Sequence, residues 1–172
     1  MHRRRRWRAV LAGALSAIFS LAACRAEHAQ FKGLAESIVR SIRERDATAF
    51  VTLHVQPGDT SPSGDYWLAT RAGGTRPDKA WNDEVRAAFR ELDRRLVEQG
   101  VRTASLELVA IEGVTTYQVD GDSDRNHLSN LSLRVTDGER EYLLNFPEGM
   151  RAQRGWVIVG DPNATLTRPR AQ

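Results

Sequence analysis

The chain has 172 residues, with 25 basic and 22 acidic side chains and one cysteine, Cys24. Residues 1–23 hold five of the arginines and no acidic residue, so the remainder carries 20 basic against 22 acidic side chains. This balance excludes the clustered basic surface of a nucleic-acid-binding protein. A single cysteine also excludes a disulfide within the chain, so an apolar core must hold the fold together.

The first 24 residues have the three regions of an export signal in order. Arg3–Arg6 and Arg8 are basic, and the uncharged run 9–23 is shorter than the roughly 20 residues that span a bilayer. The run ends in Leu21-Ala22-Ala23-Cys24, which resembles the lipobox of bacterial lipoproteins. That resemblance implies cleavage before Cys24 and attachment of palmitate-type acyl chains to it, which together anchor a protein stably. The alternative is an uncleaved membrane helix with an incidental cysteine.

The residue after the cysteine bears on localisation. In lipoproteins of double-membraned bacteria, an Asp at this position resembles an inner-membrane retention signal, and this chain has Arg25. We therefore expect an outer-membrane anchor, with the protein facing the periplasm or the cell surface. We predict a lipidated tether over 24–30, a single domain over 31–162 and a flexible tail over 163–172.

Three helices are predicted at the start of the domain. The first has apolar residues at spacings of three and four: Phe31, Leu34, Ala35, Ile38, Val39 and Ile42. Asp46 is a predicted N-cap for a short second helix, from Ala47 to about Leu53. The third runs from about Asp78 to Gln99, and Gly100 is suited to close it. Its apolar stripe is Trp81, Val85, Ala88, Phe89, Leu92 and Leu96.

The segment 56–77 between the second and third helices is rich in Gly, Pro, Ser and Thr. Tyr66-Trp67-Leu68 is its main apolar interruption. A loop of this length is uncommon in a compact domain unless it has a purpose. It is either a surface loop pinned by its two aromatics or a lid or partner-contact loop.

After Gly100 the apolar period changes to two, which predicts about five strands. A first strand reaches residue 111, a bend lies at Gly113, and a second strand follows over Val114–Val119. Asp137-Gly138 is a strong hairpin signal, and Trp156–Val159 is the last strand, with Trp156 as a core anchor. One face can be shared by Leu106, Leu108, Leu131, Leu133, Val135, Tyr142, Leu144 and Phe146. Helices followed by strands predict an α+β fold, with the helices on one face of an antiparallel sheet.

Two short segments resemble the NTF2-like superfamily. They are Arg45–Phe50, which opens the second helix, and the final strand Gly155–Val159. The resemblance implies a cone, in which a curved antiparallel sheet wraps around helices. The chain departs from this pattern in its long third helix and in having no obvious early strand. A cystatin-like or other helix-on-sheet arrangement is the alternative.

No metal or cofactor site is predicted. The alternating carboxylates of Asp120–Asp124 resemble the start of an EF-hand loop, but Arg125 stands where glycine is required and Leu131 where the closing Glu belongs. We interpret this segment as a solvated turn. His54 and His127 are expected to end a helix and to begin a strand, and neither has a partner at metal-ligand spacing.

No catalytic residue is predicted either. The chain has no nucleophile elbow and no phosphate-binding glycine loop. NTF2-like enzymes place a carboxylate and a tyrosine inside the cone; Tyr117 and Tyr142 could point inward, but Glu107 and Glu141 have outward parity. We therefore predict that the protein is not an enzyme.

The sequence favours an envelope lipoprotein that acts as a protein-interaction module, such as an inhibitor, an immunity protein or an accessory protein. Its expected partners are the membrane, through the lipid on Cys24, and an envelope protein. Tyr66, Trp67 and Tyr117 are the predicted contact residues. The alternative is a small-ligand-binding NTF2-like module with the same residues at its mouth, and a cofactor-free NTF2-like enzyme is a further one.

Overall fold

The computed structural model describes residues 29–56, 59, 79–118, 127–159 and 165–167. The chain divides into a unit of residues 1–32, of which 29–32 are described, and a unit of residues 33–172. The second unit contains all of the sheet and the helical segments that pack on it. It is the unit in which the candidate site lies.

The predicted helices are confirmed. They are α1 (29–43), α2 (Ala47–Thr52) and α3 (Lys79–Glu98). The apolar stripes of α1 and α3 are buried along their whole length. The Asp46 side chain accepts the Ala49 N–H at 2.8 Å and so caps α2. Gly100 follows α3 with φ +73°, a conformation that a side chain would strain.

Within the described residues, six strands form one open antiparallel sheet. They are β1 (Glu107–Tyr117), β2 (His127–Thr136), β3 (Glu141–Phe146), β4 (Gly149–Ala152), β5 (Gly155–Ile158) and β6 (Thr165–Thr167). The central strand β2 pairs with β1 along one edge and with β3 and then β4 along the other. Strands β6 and β5 add to the far sides of β3 and β4. A short 3-10 helix, Thr103–Ser105, leads from α3 into β1.

The helices pack on the apolar face of this sheet, which confirms the α+β prediction. Six of the eight residues predicted for that face lie in β2 and β3 and are fully buried: Leu131, Leu133, Val135, Tyr142, Leu144 and Phe146. Leu106 is also fully buried but precedes β1, and Leu108 is only half-buried. The ring of Phe50 on α2 lies 4.9 Å from that of Phe89 on α3 and 6.5 Å from that of Phe146 on β3. One aromatic cluster thus joins two helices to the sheet.

The prediction of two strands with a bend at Gly113 was wrong, because β1 is a single strand of 11 residues. Its pairing with β2 has register shifts at three places. Two of them leave a β1 residue unpaired and the third leaves a β2 residue unpaired, and irregularities of this kind bend and twist a strand. As a result Leu108, Ile111 and Val114 stand opposite the β2 residues of the core face. The β1 positions that face the core strand residues are therefore three apart, and the predicted period of two does not hold along β1.

Strands β4 and β6 were not predicted. Gly149 lies inside β4, where a Cβ would come within 2.8 Å of Leu128 Cδ2 and 2.9 Å of the Val157 carbonyl oxygen. Leu166 pairs with Leu144, so the expected flexible tail contributes β6 to the sheet at this point. Trp156 is half-buried, which corrects its expected role as the anchor of the last strand.

Candidate functional site

The predicted contact residues are only partly within the described chain. Cys24, Tyr66 and Trp67 lie outside the described residues. Tyr117 ends β1, is half-buried, and places its ring 5.5 Å from that of its register partner His127. His127 itself is buried and begins β2, as expected.

A second constellation lies where the chain leaves α2. Residues 53–56 run beside β5 and pair with it in parallel through an isolated bridge between His54 and Ile158. The Ile158 N–H donates to the Leu53 carbonyl at 2.9 Å, and the Val55 N–H donates to the Ile158 carbonyl at 2.8 Å. We call residues 53–56 together with β5 and its preceding turn the α2–β5 junction.

His54 is the centre of this junction and is fully buried. Its Nδ1 lies 3.0 Å from the Phe50 carbonyl oxygen, which can only accept, so Nδ1 carries the proton. The ring lies 4.9 Å from Phe50 and 6.3 Å from Trp81. The other ring nitrogen, Nε2, is buried and has no hydrogen-bond partner in the part of the chain that the structure describes. Nε2 is therefore an acceptor to which no described group donates, on a ring that lies beside those of Phe50 and Trp81.

Burial is the main reason that the pKa of His54 falls from 6.5 to about 4. The hydrogen bond to Phe50 raises it, and the nearby positive charge of Arg154 lowers it further. The imidazole is accordingly neutral at neutral pH. A neutral ring with a protonated Nδ1 can accept a hydrogen bond at Nε2 but cannot donate one there.

Arg154, in the turn between β4 and β5, holds the junction from outside. Its guanidinium donates to the carbonyls of Thr52 and His54, the latter at 2.7 Å. It also forms a two-pronged ion pair with Asp59, with Nε–Oδ1 2.9 Å and Nη2–Oδ2 2.8 Å. Asp59 Oδ2 in turn accepts the Gln56 N–H at 2.8 Å. These bonds satisfy carbonyls that the end of α2 leaves unpaired.

The two ends of the predicted contact loop meet at this junction. The Trp81 indole N–H donates to the Val55 carbonyl at 3.1 Å, and Gln56 Nε2 donates to Asn82 Oδ1 at 3.3 Å. Each bond joins residues 26 positions apart in the sequence. The chain therefore departs at Gln56 and returns at Trp81 to the same place. Of the intervening residues, only Asp59 and those from 79 onward are described.

A further buried polar group, Asp137, has a structural role. One carboxylate oxygen accepts the N–H groups of Glu139 and Arg140 at 2.9 and 2.8 Å, and the other accepts the Arg102 N–H and the Tyr142 hydroxyl, both at 3.3 Å. Burial raises the pKa of Asp137, but these hydrogen bonds outweigh it and hold the pKa at about 2. The carboxylate ties the β2–β3 hairpin to the segment before β1.

Sequence reasoning found part of this arrangement. The helix stripe identified Trp81 as a buried residue, and His54 was expected at a helix end. The pairing of Arg154 with Asp59 was missed, because neither residue lies in a motif and the two are 95 positions apart.

Within the described ranges, no group of three or more His, Cys, Asp or Glu side chains could hold a metal ion. None of the helices in that part of the chain is long and apolar enough to cross a membrane. Comparisons with protein-family models, curated proteins and solved structures found no match.

Proposed function

We propose that this protein is a lipid-anchored envelope protein that binds another envelope protein through the loop between Gln56 and Trp81. The anchor rests on the export signal and on the Leu21–Cys24 motif with Arg25 after it. An outer-membrane location follows from the same residues. The cleaved protein begins at Cys24, and its acyl chains hold the domain at the membrane.

The observation that carries the interaction proposal is the closed base of the loop. Trp81 bonds to Val55, Gln56 to Asn82, and Arg154 to Asp59, so both ends of the loop start from fixed backbone. Loops whose ends are close together are frequently functional. A rigid base also lowers the entropy that the loop loses when it binds a partner. Tyr66 and Trp67 are its contact residues, since aromatic side chains are enriched at protein interfaces.

The buried face of the sheet favours a protein partner over a small ligand. Its central side chains, among them Leu133, Tyr142 and Phe146, are fully buried, whereas a ligand site needs an open concave surface. The Tyr142 hydroxyl already donates to Asp137. Recognition through the loop and Tyr117, and not through a pocket in the sheet, agrees better with such a filled face.

We also infer that the domain is an NTF2-like cone. The register shifts in β1 support a curved sheet, because bulges bend and twist a strand. The run of residues 53–56 beside β5 supplies a short early strand segment of the kind that the sequence pattern lacked. An experimental structure in which the sheet is flat would contradict this inference.

Site-specific photo-crosslinking tests the interaction. A photoreactive amino acid placed at Trp67 of the full chain, in the native bacterium, should give an adduct with one envelope protein. The same amino acid at Val97, which is exposed on α3, is the matched control and should give none. Absence of any adduct from positions 66, 67 and 117 would contradict the proposal. A stoichiometric small molecule in native mass spectra would favour the ligand-binding alternative.

A further inference from the structure

The two ring nitrogens of His54 differ in their surroundings at the α2–β5 junction. Nδ1 already donates to the Phe50 carbonyl, so an added proton must go to Nε2. Nε2 is buried and has no partner among the described residues, so protonation would create a positive charge and a buried N–H with no acceptor in this part of the chain. That charge would lie near the Arg154 guanidinium, which donates to the carbonyl of the same histidine.

We propose that protonation of His54 opens the α2–β5 junction locally, separating residues 53–56 from β5 while β2 and β3 stay paired. Opening brings Nε2 to water, where the charged ring is solvated. It also breaks the two backbone hydrogen bonds with Ile158 and releases the Val55 carbonyl from Trp81.

The other groups around the ring do not offset the added charge. Phe50 from α2 and Trp81 from α3 are not titratable. The turn before β5 presents Arg154, whose partner carboxylate on Asp59 is already engaged in a two-pronged ion pair. The positive charge of Arg154 therefore raises the cost of a second positive charge at the junction.

The opening also loosens the base of the loop to which partner binding is assigned above. The effect on partner binding rests on the proposed function, whereas the opening of the junction does not. Partner binding is measured by photo-crosslinking and junction opening by hydrogen exchange. A negative result in one experiment therefore leaves the other proposal standing.

Hydrogen exchange on the full chain in detergent tests the opening. The Val55 and Ile158 amides donate the two junction bonds and report on it directly. With a histidine pKa of 6.5 in the open form and about 4 in the closed one, their protection, corrected for intrinsic rates, should be about 20-fold lower at pH 5 than at pH 7. Amides of the β2–β3 pairing should keep their protection over this range.

His54→Asn is the matched variant, because its amide nitrogen can replace Nδ1 as donor to Phe50 and does not titrate. Its Val55 and Ile158 protection should be independent of pH between 7 and 5. Equal pH dependence in the variant and the natural chain would overturn the proposal, and so would simultaneous loss of protection in β2–β3. If the variant does not fold, the imidazole of the natural chain can be titrated by NMR. An apparent pKa below 5.5 supports the proposal, and a value of 6 or above overturns it.

Discussion

Arg154 and Asp59, 95 positions apart, are joined by a two-pronged ion pair in which Arg154 also donates to the carbonyls of Thr52 and His54. One side chain of the β4–β5 turn thus fixes the backbone just after α2. The Arg154 side chain is 40% exposed, so its ion pair is screened by solvent. We therefore expect it to order the backbone after α2 more than it raises the free energy of unfolding.

Replacing Arg154 with Ala should therefore act mainly on the loop. We expect a loss of about 1–2 kcal/mol in the free energy of unfolding and clearly faster proteolysis between Gln56 and Lys79. Arg151→Ala, an exposed arginine of the same hairpin, is the control and should leave both unchanged. Cleavage rates that are equal in the two variants would show that the ion pair does not order the loop base.

Trp81, and not Trp156, should be the tryptophan on which stability depends. Trp81 is 2% exposed and donates to the Val55 carbonyl, so Trp81→Ala should cost about 3–5 kcal/mol. Trp81→Phe, which keeps an aromatic ring but leaves that carbonyl unpaired, should cost about 1–3 kcal/mol. Trp156→Ala should cost less than Trp81→Ala, because Trp156 is only half-buried. Urea denaturation of the three variants measures this order, and a reversed order would refute it.

Asp137→Asn should destabilise the protein in a pH-dependent manner. The substitution replaces one acceptor oxygen with an amide that faces N–H groups, at a cost of about 1–3 kcal/mol at neutral pH. The folded pKa of about 2 lies below the ordinary value of 3.8, so the carboxylate stabilises the fold above pH 4 and this contribution is lost as the pH falls through this interval.

The difference between the natural chain and Asp137→Asn should therefore narrow below pH 4, as measured by denaturant melts at a series of pH values. Asp83→Asn is a suitable control, since Asp83 makes an exposed i,i+3 ion pair with Arg86, and it should change stability little. A gap that stays constant down to pH 2 would contradict the assigned role of Asp137.

Two glycines should respond to alanine in opposite directions. Gly149→Ala places a methyl group 2.8 Å from Leu128 Cδ2 and 2.9 Å from a backbone oxygen, and overpacking of this kind costs about 1–3 kcal/mol. Gly33 lies in α1, and its added Cβ would meet no described heavy atom within 4 Å beyond its chain neighbours and the nearby backbone of its own helix, so Gly33→Ala should stabilise by about 0.5–1 kcal/mol. Thermal melts of both variants test the pair, and a stabilising Gly149→Ala would mean that β4 and β5 can move apart.

Local patterns in the sequence predicted the helices and the β2–β3 hairpin well. From Leu131 to Val135, apolar and polar residues alternate without interruption, and Asp137-Gly138 fixes the turn. The structure of this hairpin therefore follows from residues that are close in the sequence. Prediction failed in β1, where bulges replace the period of two, and at Gly149, whose need for glycine comes from Leu128 and Val157. The candidate site was predictable only at Trp81 and His54, because Arg154 and Asp59 acquire their roles through a contact between distant segments.

The irregular register of β1 affects whether neighbouring copies of the protein can join their sheets edge to edge. Strand β1 lies at an edge of the sheet, and no strand among the described residues pairs with its far side. A straight edge of 11 residues would be a template for joining sheets between molecules, above all when the proposed lipid confines many copies to one membrane surface. Two bulges in β1 and the charged Glu107 and Glu112 spoil that template. The same irregularity that defeats a period-two prediction thus protects the protein from aggregation through its own edge.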